Sequence, residues 1–183
     1  TATLACNGGG FSEAMAEHIL AMALALSKKL LYNHHRMQHG VFDQLSDTGT
    51  LRGKTAGIIG YGGIGQATAD LLRHFDMRIE AINSRGHSDH PADFIGTLAD
   101  LEQVMRAADV LLISLPLTPH SAGLIGAREL GWLKPDAMLI NVARGEIIDE
   151  KALYDWLVAN PNASAGIDAW WIEPFRHGEF RMN

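Results

Sequence analysis

Short apolar runs separated by amphipathic stretches set the plan of this 183-residue chain. Thr55 to Ile59, Met77 to Ile82, Asp109 to Leu115, Ala137 to Val142 and Ala163 to Asp168 read as strands. Between them, Gln66 to Phe75, Leu98 to Ala107, Arg128 to Leu133 and Glu150 to Ala159 carry helical spacing. Thr97, with Asp100 three residues on, supplies a capping box for the second of these helices. A further short strand is expected near Phe94, within the loop from Asn83 to Ile95. The runs at 109–115 and 137–142 are apolar at almost every position, which calls for burial on both faces. Strands alternating with helices need crossover connections. They predict an α/β fold, a doubly wound parallel sheet of the Rossmann kind in a single domain.

Upstream of the first strand, Ser12 is placed to cap a helix that runs to about Leu31, with Glu13 and Glu17 in its first turns. This helix is apolar all round, which demands cover on several sides from a second domain or subunit. Its uncharged run, Ile19 to Ser27, is far too short to span a bilayer. Tyr32 to Arg52 reads as a polar, irregular arm. The chain therefore divides into a helix and arm over 1–52, a core domain over 53–174 and a tail over 175–183. Thr1 to Cys6 reads as the end of a strand, and both termini read as cut from a longer protein.

Charge and cysteine content narrow the partners. A net charge of -6 with no basic stripe argues against nucleic acid and anionic membranes. The single Cys6 excludes an internal disulfide. Together with the lack of a signal-peptide pattern, it fits a reducing, cytoplasmic setting. His34, His35 and His39, and the His87-Ser88-Asp89-His90 stretch, read as solvated loop residues, so no metal is expected.

The chemistry gathers around Gly57-Ile58-Ile59-Gly60-Tyr61-Gly62-Gly63-Ile64-Gly65. A strand, a G-x-G-x-x-G turn and a helix form the arrangement that binds a dinucleotide pyrophosphate. Gly60 allows the tight turn, Gly62 lets a phosphate approach the backbone, and Gly65 lets the helix pack on the strand. The helix N-terminus offers free N–H groups. A purely structural glycine turn is the alternative. About 20 residues on, where NAD-binding domains of this kind place a carboxylate for the ribose 2′-hydroxyl, stands Asn83. It does not repel a 2′-phosphate, Ser84 can donate to one and Arg85 can pair with one, so NADP is favoured over NAD. Arg85 as a solvated residue, or stacked on adenine, is the bland reading. Arg144, just past the run ending at Val142, can clamp a carboxylate or act as a structural ion-pair partner. Asp168 and Glu173 flank the end of the last strand.

These residues together resemble the NAD(P)-binding domain of the D-isomer-specific 2-hydroxyacid dehydrogenases. The resemblance runs through Ser12-Glu13-Ala14-Met15-Ala16-Glu17-His18, Leu51-Arg52-Gly53-Lys54-Thr55 and the glycine loop. It continues through Pro116-Leu117-Thr118-Pro119-His120-Ser121 and Asn141-Val142-Ala143-Arg144-Gly145, then Asp149-Glu150, Gly166-Ile167-Asp168 and Glu173-Pro174. It implies an oxidoreductase that moves a hydride between a nicotinamide cofactor and C2 of a small 2-hydroxy or 2-keto acid. Arg144 would bind the substrate, and Glu173 would partner the family's catalytic histidine. Asp168 would hold the carboxamide, and Gly60, Gly62, Gly63, Ile64 and Gly65 the pyrophosphate. Leu115, Pro116 and Ala143 would line the nicotinamide end. A homodimer through residues 12–52 is also implied. Asn83, Gly63 and Trp170-Trp171 depart from the family's usual Asp, Arg and Val-Phe. The family's histidine falls beyond Asn183, and its substrate domain is built from segments not present here, so this stretch alone is expected to be inactive. A nucleotide-sensing, corepressor-like module without turnover is the rival reading.

Overall fold

The protein is described by a computed structural model over residues 9–178, and the expected strand end at Thr1 to Cys6 lies outside them. Six strands form one sheet: β1 Thr55–Ile59, β2 Arg78–Ile82, β3 Phe94–Gly96, β4 Val110–Ile113, β5 Met138–Asn141 and β6 Ser164–Ile167. Their order is β3-β2-β1-β4-β5-β6 and every pair is parallel. The strand order reverses between β1 and β4, the switch point where open α/β sheets bind ligands.

The helices are α1 Ser12–Ser27, α2 Leu30–Gln38, α3 Gly63–Arg73, α4 Leu101–Ala107, α5 Ala127–Leu130, α6 Glu150–Ala159 and α7 Pro174–His177. Alternation along the buried strands sorts them onto two faces. Ile58, Val110, Leu112, Met138 and Ile140 point to one side and pack with Ile19 and Ala23 of α1 and Ala69 and Leu72 of α3. Ile59, Leu111, Ile113 and Leu139 point to the other and pack with Val104 and Met105 of α4, Leu130 of α5 and Leu153 of α6. Both faces are therefore covered, as the near-continuous apolar runs require.

Two expectations are corrected. The first helix is not continuous to Leu31. It stops at Ser27, and Lys29 adopts left-handed φ 49°, ψ 38°. The arm causes the stop: Gly49 N donates to the Ser27 carbonyl at 2.8 Å and Lys28 Nζ donates to the Gly49 carbonyl at 2.6 Å, satisfying the helix end from outside. The chain then resumes as α2, so part of the predicted irregular arm is helical. Nor does Ser12 cap α1, because the capping position falls on Phe11. The Ser12 hydroxyl lies instead against the glycine loop, where a Cβ on Gly63 would sit 2.7 Å from Ser12 Oγ. Elsewhere the expected strands and helices form within a few residues, and the Thr97–Asp100 capping box is made.

Gly60 and Gly65 hold β1, β4 and α3 together. Gly60 takes φ 107°, and a Cβ there would meet Leu115 N at 2.6 Å. A Cβ on Gly65 would meet the Gly60 carbonyl at 2.5 Å. Gly65→Ala is expected to cost about 1–3 kcal/mol from overpacking, against at most about 1 kcal/mol gained in helix propensity. A lower urea midpoint at unchanged slope would confirm it.

Glu129, on α5, is 7 % exposed. Burial pushes its carboxyl up, but the Arg128 guanidinium and the backbone N–H groups of Glu129 and Gly126 outweigh it, and the result lies below the usual 4.5. A depressed folded pKa adds stability above the unfolded value that is lost as pH falls below it. Glu129→Gln should therefore flatten the acid limb of a stability–pH profile below pH 4.5.

Candidate cofactor and active site

The carboxyl ends of β1, β2 and β4 enclose a cavity of about 410 Å³. The turn after β1 forms its floor through Gly60, Tyr61 and Gly62, and Gly62 stands in extended backbone just before α3. Gly62 faces open space where a side chain would stand: no protein atom lies within 4 Å of the place a Cβ would take. This is the approach a phosphate needs to reach the first N–H groups of α3. The helix begins at Gly63, inside the loop and three residues earlier than the sequence pattern suggested.

Asn83, Ser84 and Arg85 line the β2 side of the same cavity. The Asn83 side chain is spent on its own loop. Its Oδ1 accepts from Arg85 N at 2.9 Å and Gly86 N at 2.7 Å, and its Nδ2 donates to the His87 carbonyl at 2.9 Å. Arg85 is exposed, and its guanidinium meets no hydrogen-bond or ion-pair partner among the described residues. Leu115 and Pro116 fall in this cavity too, with Leu98, Thr118 and His120. Ala143, which the resemblance grouped with them, is buried just after β5 and is not among the residues that line this cavity. A second cavity of about 340 Å³ lies on the other side of the loop, between Gly62, Gly63, Ile64, Ser114, Phe11 and Ser12.

Tyr61, between the first two loop glycines, is 2 % exposed. Its hydroxyl donates to the Pro91 carbonyl at 2.6 Å. Burial pushes this phenol above its usual 10.0, with Arg73 pulling the other way, so it stays protonated and able to donate.

Arg144 follows β5 and is exposed, with Nη1 donating to the Ala143 carbonyl at 2.6 Å. Asn141, fully buried, braces its loop: Oδ1 accepts from Ala143 N and Nδ2 donates to the Arg144 carbonyl, both at 3.0 Å. The segment carrying Glu173 folds over this loop. A Cβ on Gly145 would lie 2.5 Å from the Trp170 and Trp171 backbone, and Glu173 Oε1 accepts from Trp170 N at 2.8 Å. Arg176 of α7 pairs with Glu146 at 2.9 Å, and Trp171 Nε1 donates to the Ile148 carbonyl at 2.7 Å. The stretches bearing Arg144 and Glu173 are thus packed neighbours. Asp168, at the end of β6, meets His18 of α1 at 3.2 Å. The sequence assigned His18 no role, since 150 residues separate the pair. Only the Glu17-His18 motif could have signalled it. Among the described residues, no three His, Cys, Asp or Glu side chains gather to hold a metal, and no helix is long and apolar enough to cross a membrane.

Residues 20–182 match the family model described as D-isomer specific 2-hydroxyacid dehydrogenase, NAD binding domain. The chain belongs to this family. A D-3-phosphoglycerate dehydrogenase of Archaeoglobus fulgidus is 31 % identical over 167 residues, covering 91 % of this chain and 32 % of the relative. A glycerate dehydrogenase related protein of Thermoplasma acidophilum superposes with TM-score 0.83 at 33 % identity, covering 94 % of this chain and 60 % of that one. An NAD-dependent formate dehydrogenase of Staphylococcus aureus, solved with NAD, gives TM-score 0.81 at 26 % identity over 91 % of this chain and 51 % of its own. The chain therefore spans between a third and three-fifths of these dehydrogenases, and it is the part that binds the nicotinamide cofactor.

Because a Cβ at Gly62 meets no protein atom, Gly62→Val should leave the thermal midpoint almost unchanged. It should weaken cofactor binding by at least about tenfold, read by nucleotide fluorescence titration.

Proposed function

We propose that this domain takes NADP in preference to NAD, and serves a reductase or dehydrogenase of small D-2-hydroxy and 2-keto acids. The observation that carries the cofactor reading is the unpaired Arg85 guanidinium at the rim of a cavity whose β2 end offers no carboxylate. Asn83 strengthens it. By capping the Arg85 and Gly86 amides it fixes the loop while putting no negative charge beside a 2′-phosphate. The cavity between Leu98 and Pro116 suits the adenosine end. The smaller one, at Gly63 and Ser12, shares Gly62 and Ser114 with it and continues along the loop.

A bound nicotinamide would supply or accept the hydride. The residues of this chain do the rest of the work assigned to it. Arg144, braced by Asn141 and free of any carboxylate partner among the described residues, binds the substrate carboxylate and polarises its carbonyl. Glu173, held by Trp170 N, orients the imidazole that exchanges the substrate proton. Asp168 holds the carboxamide, with His18 fixing its carboxylate.

The apolar side chains of α2 and the arm support a homodimer through residues 12–52. Leu31, Phe42 and Leu45 are 75, 70 and 92 % exposed, and no residue of α2 is buried. The Archaeoglobus, Thermoplasma and Staphylococcus relatives are dehydrogenases by name or relation, and none favours a regulatory module.

Fluorescence titration with NADPH and NADH tests the cofactor reading. NADPH should bind at least about tenfold more tightly, and Arg85→Ala should erase most of that difference, as loss of a charged hydrogen bond does. Equal or better NADH binding would defeat it. In the protein joined to its substrate domain, Arg144→Gln should raise KM for 2-keto acids and lower kcat while leaving the cofactor Kd unchanged.

A further inference from the structure

The loop that carries Ser84 and Arg85 is tied down at both ends, and the ties at its far end come from the glycine loop and α3. Tyr61 Oη and Arg73 Nη2 both donate to the Pro91 carbonyl, at 2.6 and 2.9 Å. Gln66 Nε2 reaches both the Tyr61 carbonyl and Ser88 Oγ, at 3.4 and 3.3 Å, and Ser88 Oγ in turn accepts from His90 N. His90 Nε2 meets Asp70 of α3 at 2.9 Å and its ring stands edge-on to Tyr61. At the near end, Asn83 caps the turn. Tyr61 is the buried member of this set, and it sits in the variable position of the G-x-G turn itself.

We infer that Tyr61 is a positioning residue for cofactor selectivity. Its hydroxyl, through Pro91, holds the 83–91 loop where Ser84 and Arg85 face the cavity. The inference rests on the reading of Arg85 as the partner of a 2′-phosphate. Physically, a guanidinium on a free loop loses much of its affinity to the cost of ordering that loop, whereas one on a pre-tied loop does not. The phosphate-binding turn and the ribose-binding loop thus become one piece, joined by the Tyr61 phenol from the turn itself and by Gln66, Asp70 and Arg73 from the helix behind it. Tyr61 is 2 % exposed, so removing its hydroxyl alters a buried contact with Pro91 and not the surface of the glycine loop.

The test is Tyr61→Phe, which keeps the buried ring and deletes the hydroxyl. The variant and Arg85→Ala are titrated with NADPH and NADH, and folding is checked by thermal midpoint. Tyr61→Phe is expected to weaken NADPH about fivefold, the size of one net hydrogen bond, and NADH by less than about twofold. Hydrogen exchange should quicken at residues 84–91 and not in β1 or α3. Equal weakening of both cofactors would make Tyr61 a general structural residue and overturn the inference. So would an unchanged NADPH affinity. If Arg85→Ala erases the preference while Tyr61→Phe keeps it, the inference alone falls. If the wild type shows no preference for NADPH, the Arg85 reading falls and takes the inference with it.

Discussion

One steric constraint organises the molecule: between β1 and α3 there is no room for a side chain. The Gly60 carbonyl and the Cα of Gly65 are so close that a methyl group on Gly65 would overlap the oxygen. Gly60 presses as tightly on the backbone of Leu115. Because the helix can come that near, its first N–H groups emerge at the sheet's switch point, and the turns after β1, β2 and β4 converge there. A bulkier loop would push α3 off the sheet and open the core that Ala69 and Leu72 complete.

The second centre is built differently, from polar braces in place of missing side chains. Asn141 sits at the end of β5 with no exposure and spends both halves of its amide on the Arg144 loop. Gly145 lets the Trp170–Trp171 backbone settle onto that loop, and the Glu146–Arg176 pair and the Trp171 indole fasten it there. A buried amide with both its ends hydrogen-bonded fixes geometry more firmly than apolar packing does, because any shift strands a donor or acceptor.

Much of this was legible in the residues. Apolar runs at β4 and β5 announced a sheet covered on both faces. The capping box at Thr97 marked a helical start, and the glycine spacing marked the turn between β1 and α3, though the helix begins inside it at Gly63. What escaped were features decided by distant partners. The break at Lys29 depends on Gly49 arriving to take the Ser27 carbonyl, and no local pattern at Ser27-Lys28-Lys29 reports that. The ties of Tyr61 to Pro91 and of His18 to Asp168 bridge 30 and 150 residues, so side-chain type alone could not pair them. Asn83 was recognised by position, but its service as a turn brace became visible only with its three hydrogen bonds.

The unpaired Arg85 also bears on how fast a ligand arrives. The chain as a whole carries a charge of -6 and repels a polyanion at long range. Arg85, exposed and unpaired at the cavity rim, exerts its pull over about one Debye length, roughly 8 Å at physiological salt. An anionic ligand that comes within that distance is drawn toward the rim. Added salt weakens the repulsion and the attraction together, so the rate of arrival depends on ionic strength.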